Sequence, residues 1–413
     1  MRSLKILIVG HCHPDFPHVC ALRTRGFADG LAQQGHKVVL LTGTLPGTQS
    51  IASVDNVKHN LPQEIGEGPL VIGCPPKRGR WLPRARRGQF PALPNKILLA
   101  GSFMLHGGIF TDWVEGSKRY WPIIADQWRP DIVWATFGNT GAWLIAQGIS
   151  TRSSCPWIMD MKDLWEDFIP KPIRGLLAAR FSDYAATTAL ADVHAKDLCR
   201  WFGSNPTIIP SGVDIPTDVL GHDIDLASQN TDSAALRISL VGSLYGDTDL
   251  QAFLSGIKAW GEDRRHHSVR PAILEYFGDE EDRLLAATRS WENICEVRAS
   301  GFVDPAELAL RLRKSHINAF VNARSGFRHK VLEFVVAGRP IMSFPTLGTD
   351  ECRIIRESGV KLYNCTTSRA VKSALDDLDQ SESPNTAPHF DVEKFSWNSR
   401  VSELEVVIDR ILR

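Results

Sequence analysis

The chain has 413 residues, is 43% hydrophobic, and sets 47 basic against 47 acidic residues for a formal net charge of zero. That length is more than one core fills and implies two domains or three. The balanced charge excludes a bulk electrostatic pull toward nucleic acid or membrane, so any such attraction has to be local. Eight cysteines with no CxxC pair and no metal-ligand spacing read as the reduced thiols of a cytoplasmic protein.

The first apolar run, in MRSLKILIVG, is only about six residues, too short for a signal core, and no segment reaches the roughly 18 uninterrupted apolar residues of a membrane span. Residues 4–10, LKILIVG, read as a buried parallel strand. A loop carrying His11, His13 and His18 follows. Leu22, Phe27 and Leu31 then mark one face of a helix that stops at Gly35, and Val38 to Leu41 form a second buried strand, which completes a βαβ unit. The segments PDIVWATFG and CPWIMDM are further strands with a helix-like GNTGAWLIAQG between them. The polar stretch from Thr217 to Ala234 reads as a linker closing the first domain.

A second alternating series runs through LRISLVGSL, AILEYFG, CEVRASGFV, INAFVNA and RPIMSFP. The fold class is therefore α/β, two doubly wound Rossmann-like domains, with boundaries placed at 1–208 and 209–395. In the tail, 396–413, Val401, Leu404, Ile408 and Ile411 share one helix face, suited to packing across a domain surface or to a dimer contact.

Ligands of open α/β sheets bind beyond the carboxyl ends of the strands. In the first domain those positions are His11 and His13, Thr136 and Phe137, and Asp160 and Asp163; in the second they are Ser243 to Gly246, Gly278, Phe302 and Val303, and the segment SGFRHKVLEFVVAGRP from Ser325 to Pro340. No GxGxxG follows the first strand and no GxxxxGK[ST] occurs, which disfavours a dinucleotide site or a P-loop. SGFRHK instead joins a glycine turn to Arg328 and Lys330 at a helix amino end, an arrangement suited to a diphosphate. Glu333 reads in two ways: as a bidentate acceptor for two sugar hydroxyls, or as a helix-start carboxylate facing the dipole or Lys330.

The three histidines lack the companion spacing of a metal motif and read as a polar loop, with His11 or His13 a candidate acceptor-binding group or general base. The segment CPPKRGRWLPRARRGQF gathers Lys77, Arg78, Arg80, Arg84, Arg86 and Arg87 around Trp81 and Phe90, and there is no acid from Gly68 to Thr111. Three readings stay open for it: contact with an anionic membrane, grip on an anionic acceptor such as a lipid-linked diphosphate, or a solvated loop.

The 325–340 segment resembles the nucleotide-sugar motif of GT-B glycosyltransferases, specifically a branch of the family 4-like retaining group, with Lys330, Glu333, Phe334, Gly338 and Pro340 in register. GHKVVLLTG, PWIMDMKDLW, TIIPSGVD, LVGSLYGDTDL and the FSW before the last helix resemble further segments of that family in the same order. The resemblance implies a GT-B fold with two domains facing a cleft and the carboxyl-terminal helix crossing back to the first domain. It implies transfer of a sugar from a nucleotide-diphosphate donor to a glycan, lipid-linked or small-molecule acceptor, with retention and without a metal or other cofactor, and it offers no nucleic-acid partner. On that reading Glu333 binds ribose, Lys330 the diphosphate and the backbone at Val303 the base. Gly242, Ser243, Gly278, Ser325, Gly326, Phe327 and Arg328 complete the donor site, while Arg23, Asp160 and Asp163 are candidates on the acceptor side. Ser325 stands where many relatives carry a first glutamate, LVGSLYGDTDL lacks the Arg and Lys many relatives place there, and Thr136 or a neighbour stands for a site histidine. Two other readings therefore stay open: a nucleotide-sugar-binding protein without turnover, and a nucleotide-sugar 2-epimerase of the same fold.

Overall fold

The apolar runs become strands of two wholly parallel sheets. In the computed structural model, which describes residues 2–16, 19–48, 52–61, 68–77, 79, 81–214, 235–264, 271–291, 293–322, 327–380 and 392–413, the chain forms two units, Met1–Gly212 with Phe395–Arg413, and Val213–Lys394. The linker expected at Thr217 to Ala234, along with His18, Arg78, Arg80, Ser325 and Gly326, lies outside the described residues.

The first unit contains β1 Lys5–Val9, β2 Lys37–Gly43, β3 Leu70–Cys74, β4 Ile132–Phe137, β5 Trp157–Met161, β6 Ala186–Ala189 and β7 Thr207–Ile208, in the order β3-β2-β1-β4-β5-β6-β7. Strand side chains alternate between faces, so the continuous run of β1 feeds two cores. Leu7 and Val9 pack with Val39, Val133 and Trp143 on one side, while Ile6 and Ile8 pack with Val38, Trp134, Phe27 and Leu31 on the other.

The second core is closed by the chain's last helix, Trp397–Leu412, which buries Val401, Leu404 and Ile408 against it. Close approach to the helix Val19–Gln33 depends on two glycines on one face of that helix. A Cβ at Gly26 would fall 2.3 Å from the Trp397 ring, and one at Gly30 would fall 2.4 Å from Val401. A buried polar contact fixes the register: His36 Nδ1 accepts from the Leu4 amide at 3.2 Å, so Nε2 carries the proton and donates to Glu405 Oε1 at 2.9 Å.

One stretch, Ala92–Ser117, is long and apolar enough by length and composition to cross a membrane. It is nonetheless folded as two helices, Ala92–His106 and Thr111–Ser117, separated by Gly107 at φ 77°, and the second buries Trp113 and Val114 in the core. All eight cysteines are free thiols.

The second unit contains β8 Leu236–Val241, β9 Ala272–Phe277, β10 Glu296–Ala299, β11 Ile317–Val321, β12 Ile341–Phe344 and β13 Leu362–Asn364, in the order β10-β9-β8-β11-β12-β13. In each sheet the winding direction reverses once, between β1 and β4 and between β8 and β11. Beyond the carboxyl ends of such a strand pair, the flanking loops part and leave a crevice.

Candidate functional site

The crevice of the second unit opens where β8 ends at Val241 and β11 ends at Val321. Gly242 follows β8 at φ 83°, a conformation that costs little only for glycine. Its carbonyl accepts the Tyr276 hydroxyl at 3.0 Å, and a Cβ on Gly242 would stand 2.3 Å from Lys330 Nζ. Gly278, after β9, is equally constrained, since a Cβ there would meet Tyr276 Oη at 2.2 Å and Gly242 O at 2.9 Å. The two glycines therefore bring two strand ends together over one lysine.

Lys330 opens the helix Lys330–Ala337, which the left-handed Gly338 terminates. Val331, Leu332, Phe334 and Val335 of this helix are buried, and their packing fixes the face on which Lys330 and Glu333 stand. Lys330 Nζ donates to Val241 O at 3.0 Å and lies 5.3 Å from the centre of the Phe320 ring. Burial lowers its pKa to about 8, with Glu333 opposing that shift and Arg328 adding to it. No carboxylate is paired with this ammonium group among the described residues, so it stands at the strand ends with a neutral acceptor and an aromatic face. Such a group is a ready counter-charge for an anion.

Glu333 is half-exposed in the first helical turn, and its nearest ion-pair partner is His329 Nε2 at 3.9 Å, not Lys330. The carboxylate is thus only loosely occupied. Arg328 is positioned from three sides: its amide donates to Glu351 Oε1 at 3.2 Å, its Nε donates to Asn322 Oδ1 at 2.9 Å, and its guanidinium lies over the Tyr245 ring. Glu351 is itself buried, and burial raises its pKa. The turn after β8 is tied down by Glu280, which accepts the Leu244 amide at 2.6 Å and the Arg283 guanidinium at 2.6 Å. Val303 sits half-buried in the loop between β10 and the helix Pro305–Lys314, and Phe302 beside it is exposed. Tyr276, Glu280, Asn322 and Glu351 were not singled out from sequence. Glu280, three residues beyond a strand end, is the one whose position carried a signal.

In the first unit, His11 leaves β1 edge-on to Phe110 at 4.6 Å and Trp113 at 4.9 Å. Burial, with Arg86 adding to it, lowers its pKa to about 4, so the imidazole is neutral at physiological pH. His13 is buried; its Nδ1 accepts the Asp15 amide at 3.2 Å, while Nε2 has no hydrogen-bond partner among the described residues. Asp163, just past β5, pairs with Lys162 at 3.3 Å, and both lie beside Gly138 at the end of β4. Among the described residues no three His, Cys, Asp or Glu side chains group as a metal site would require.

Arg23 and Asp160 stand differently from the sequence expectation. Arg23 Nε and Nη2 donate to the two Asp160 oxygens at 2.9 and 2.6 Å, a third bond runs from Nη1 to Ile209 O, and Thr188 Oγ1 donates to Asp160 at 2.7 Å. The pair is buried, with the guanidinium over Phe27 and Trp134. Asp160 points into the sheet because it lies within β5, not after it, so this bridge fastens helix to sheet and presents neither group to an acceptor. In the basic segment, Arg86 is likewise committed: it holds Asp112 through two bonds of 2.7 and 2.8 Å, donates to Ile109 O, and stacks on Phe110. Burial would raise the Asp112 pKa, but Arg86 outweighs it and holds the carboxyl below its ordinary range. Lys77, Arg84 and Arg87 are exposed, and Trp81 stacks on Phe90.

Neither a family model nor a curated protein matches the chain in sequence. Solved structures do match over the full length. Sucrose-phosphate synthase from Thermosynechococcus elongatus is 14% identical with a TM-score of 0.64, covering 99% of each chain. Anabaena HepE, crystallised with UDP and glucose, is 14% identical with a TM-score of 0.59 over 99% of this chain and 100% of its own. A putative UDP-N-acetylglucosamine 2-epimerase from Listeria monocytogenes is 14% identical with a TM-score of 0.57 over 99% and 96%.

The fold is GT-B.

Within this GT-B chain the two switch-point crevices are chemically unlike. Among the described residues, the second unit's holds a lysine without a carboxylate partner beneath the Gly242 turn, and the first unit's holds a neutral His11 and an internally paired lysine.

Proposed function

We propose that the protein is a glycosyltransferase that takes a sugar from a nucleotide-diphosphate donor, with the donor site in the second unit. The observation that carries this reading is the placement of Lys330 Nζ at the end of β8, beneath the left-handed Gly242 turn and at the amino end of a helix. The diphosphate is negatively charged in the bound donor and gains further negative charge as it departs. Lys330 and the helix dipole supply fixed positive potential where that charge develops. Glu333, loosely held and half-exposed one turn away, is the acceptor for ribose hydroxyls, and the backbone near Val303 meets the base. Arg328 orients the turn. This division of labour is compatible with chemistry in which positioning and leaving-group stabilisation do most of the work, and the retaining, metal-independent, family 4-like character rests on the sequence resemblance alone.

The acceptor, a glycan, lipid-linked sugar or small molecule of polysaccharide or glycoconjugate biosynthesis in the cytoplasm, would meet the first unit near His11, His13 and Asp163. A neutral His11 can take a proton, as can a phosphate oxygen of the donor. Incubation with a panel of nucleotide sugars, followed by nucleotide diphosphate release and the anomeric signal of the product, tests the reading. Release that depends on an acceptor supports it, and tight binding without release for every donor and acceptor overturns it. The structural likeness to a putative 2-epimerase motivates a second reading, which the same incubation detects as an altered sugar on an intact nucleotide.

A further inference from the structure

The helix Ala92–His106 has 15 residues, of which only Ser102 and Phe103 are buried. Leu93, Ile97, Met104 and Leu105 are 70, 65, 51 and 76% exposed, and with Gly101 they form one continuous stripe at helical spacing. The surface continues onto the neighbouring helix Arg174–Arg180. There Leu176 is 63% exposed and lines, with Phe103, Met104 and Leu177, a shallow apolar hollow rimmed by Arg180. Soluble surfaces seldom leave so many large apolar side chains contiguous without a partner for them.

Charge selects the partner. There is no acid between Gly68 and Thr111, and Arg84, Arg87 and Lys96 stand exposed in that span, with Lys171 and Arg180 exposed on the adjoining segment. Trp81, stacked on Phe90, adds the aromatic character favoured at a membrane interface. We propose that this face docks the protein on an anionic lipid bilayer, with the apolar stripe among the acyl chains and the arginines and lysines at the headgroups. The helix lies in the interface and does not cross it. At 15 residues it is about 22 Å long against about 30 Å of hydrocarbon, and the chain beyond Gly107 returns to the core through Trp113.

The test uses the full chain, sucrose-loaded vesicles and no sugar nucleotide, so its outcome is independent of the transferase reading. With vesicles of phosphatidylcholine and phosphatidylglycerol the protein pellets at low salt, less so at high salt, and at least about tenfold less on phosphatidylcholine alone. Leu93→Glu with Ile97→Glu lowers partitioning about a hundredfold. The unfolding midpoint stays unchanged, because both side chains already face solvent. Replacing Arg84, Arg87 and Lys96 with alanine lowers partitioning about fivefold per residue, on anionic vesicles only. The proposal is overturned if wild-type protein stays in the supernatant with both vesicle types or if the double glutamate variant pellets like wild type. It is also overturned if sedimentation velocity shows a dimer that the same variant abolishes without any vesicle binding, which would make the stripe an interface between copies.

Discussion

Replacing Lys330 with methionine separates a binding role from a structural one. Burial moves this ammonium group from 10.5 to about 8, an unfavourable free energy on the order of 3 kcal/mol that the folded protein carries in the absence of ligand. Methionine fills similar volume without that desolvation, so Lys330→Met leaves the unfolding midpoint equal to wild type or above it, despite loss of the bond to Val241 O. Nucleotide diphosphate binding falls in the same variant. A charge-assisted hydrogen bond contributes about 1.5–3 kcal/mol, so calorimetry should show an affinity about 10- to 150-fold weaker. The pH dependence follows in sign. Below about pH 8 the lysine is charged and binding is at its plateau; above it the free protein must take up a proton to bind, and affinity drops about tenfold between pH 7 and 9. Stability moves the other way: between about 8 and 10.5 the unfolded chain holds more protons, so folding becomes more favourable as pH rises. Lys330→Met abolishes both slopes. Unchanged affinity for the nucleotide diphosphate in the variant, or a wild-type binding profile flat from pH 7 to 9, would refute the assignment.

Four further outcomes follow. Gly242→Ala forces a left-handed φ of 83° on a residue with a Cβ, at a cost of about 1–2 kcal/mol, and crowds Lys330 Nζ; nucleotide affinity should fall while circular dichroism stays native. Asp160→Ala leaves Arg23 buried without its carboxylate and destabilises by about 3–5 kcal/mol in urea unfolding, whereas Arg23→Met with Asp160→Leu recovers most of that loss, which marks the pair as structural. Glu405→Leu strands the buried His36 Nε2–H and costs about 1–3 kcal/mol, measured by the same unfolding, because it loosens the final helix from the first unit. The imidazole proton resonances of His11 should show no titration between pH 5 and 8, since its pKa of about 4 keeps it neutral throughout; a midpoint near 6.5 would mean that His11 is solvated.

Parallel strands buried on both faces are legible as continuous apolar runs, which is why β1, β2, β4, β5, β8, β9, β11 and β12 could be read directly from their sequences. β6 is only Ala-Thr-Thr-Ala and β7 only two residues, too short and polar to stand out; β6 forms on the edge of β5, and β7 in turn on β6. Lys330 and Glu333 were legible as candidates because a glycine, bases and a helix start are local features of the sequence. The partners of Arg23 and Arg86 were not, since Asp160 lies 137 residues away and no local spacing distinguishes it from Asp163. The exposure of Leu93, Ile97 and Leu105 was equally hidden: a helix apolar on most sides reads as core, and only the surrounding packing shows that it is not.

The contrast between the two crevices follows from where acids fall along the strands. In the first unit, the carboxylate at the fourth position of β5 is drawn inward by Arg23, and the one just past the strand is matched by Lys162, so the charges there neutralise one another within the protein. In the second unit, the acids around the β8 turn are used up by backbone amides and by Arg283, and the one near Arg328 is used by a backbone amide. Among the described residues, Lys330 is left with a carbonyl and an aromatic ring. A protein selected only for stability would remove that lysine, because its charge is desolvated and has no paired carboxylate among the described residues. Its place at a topological switch point, beneath the left-handed Gly242, makes sense if the counter-ion is a ligand that supplies negative charge when it binds.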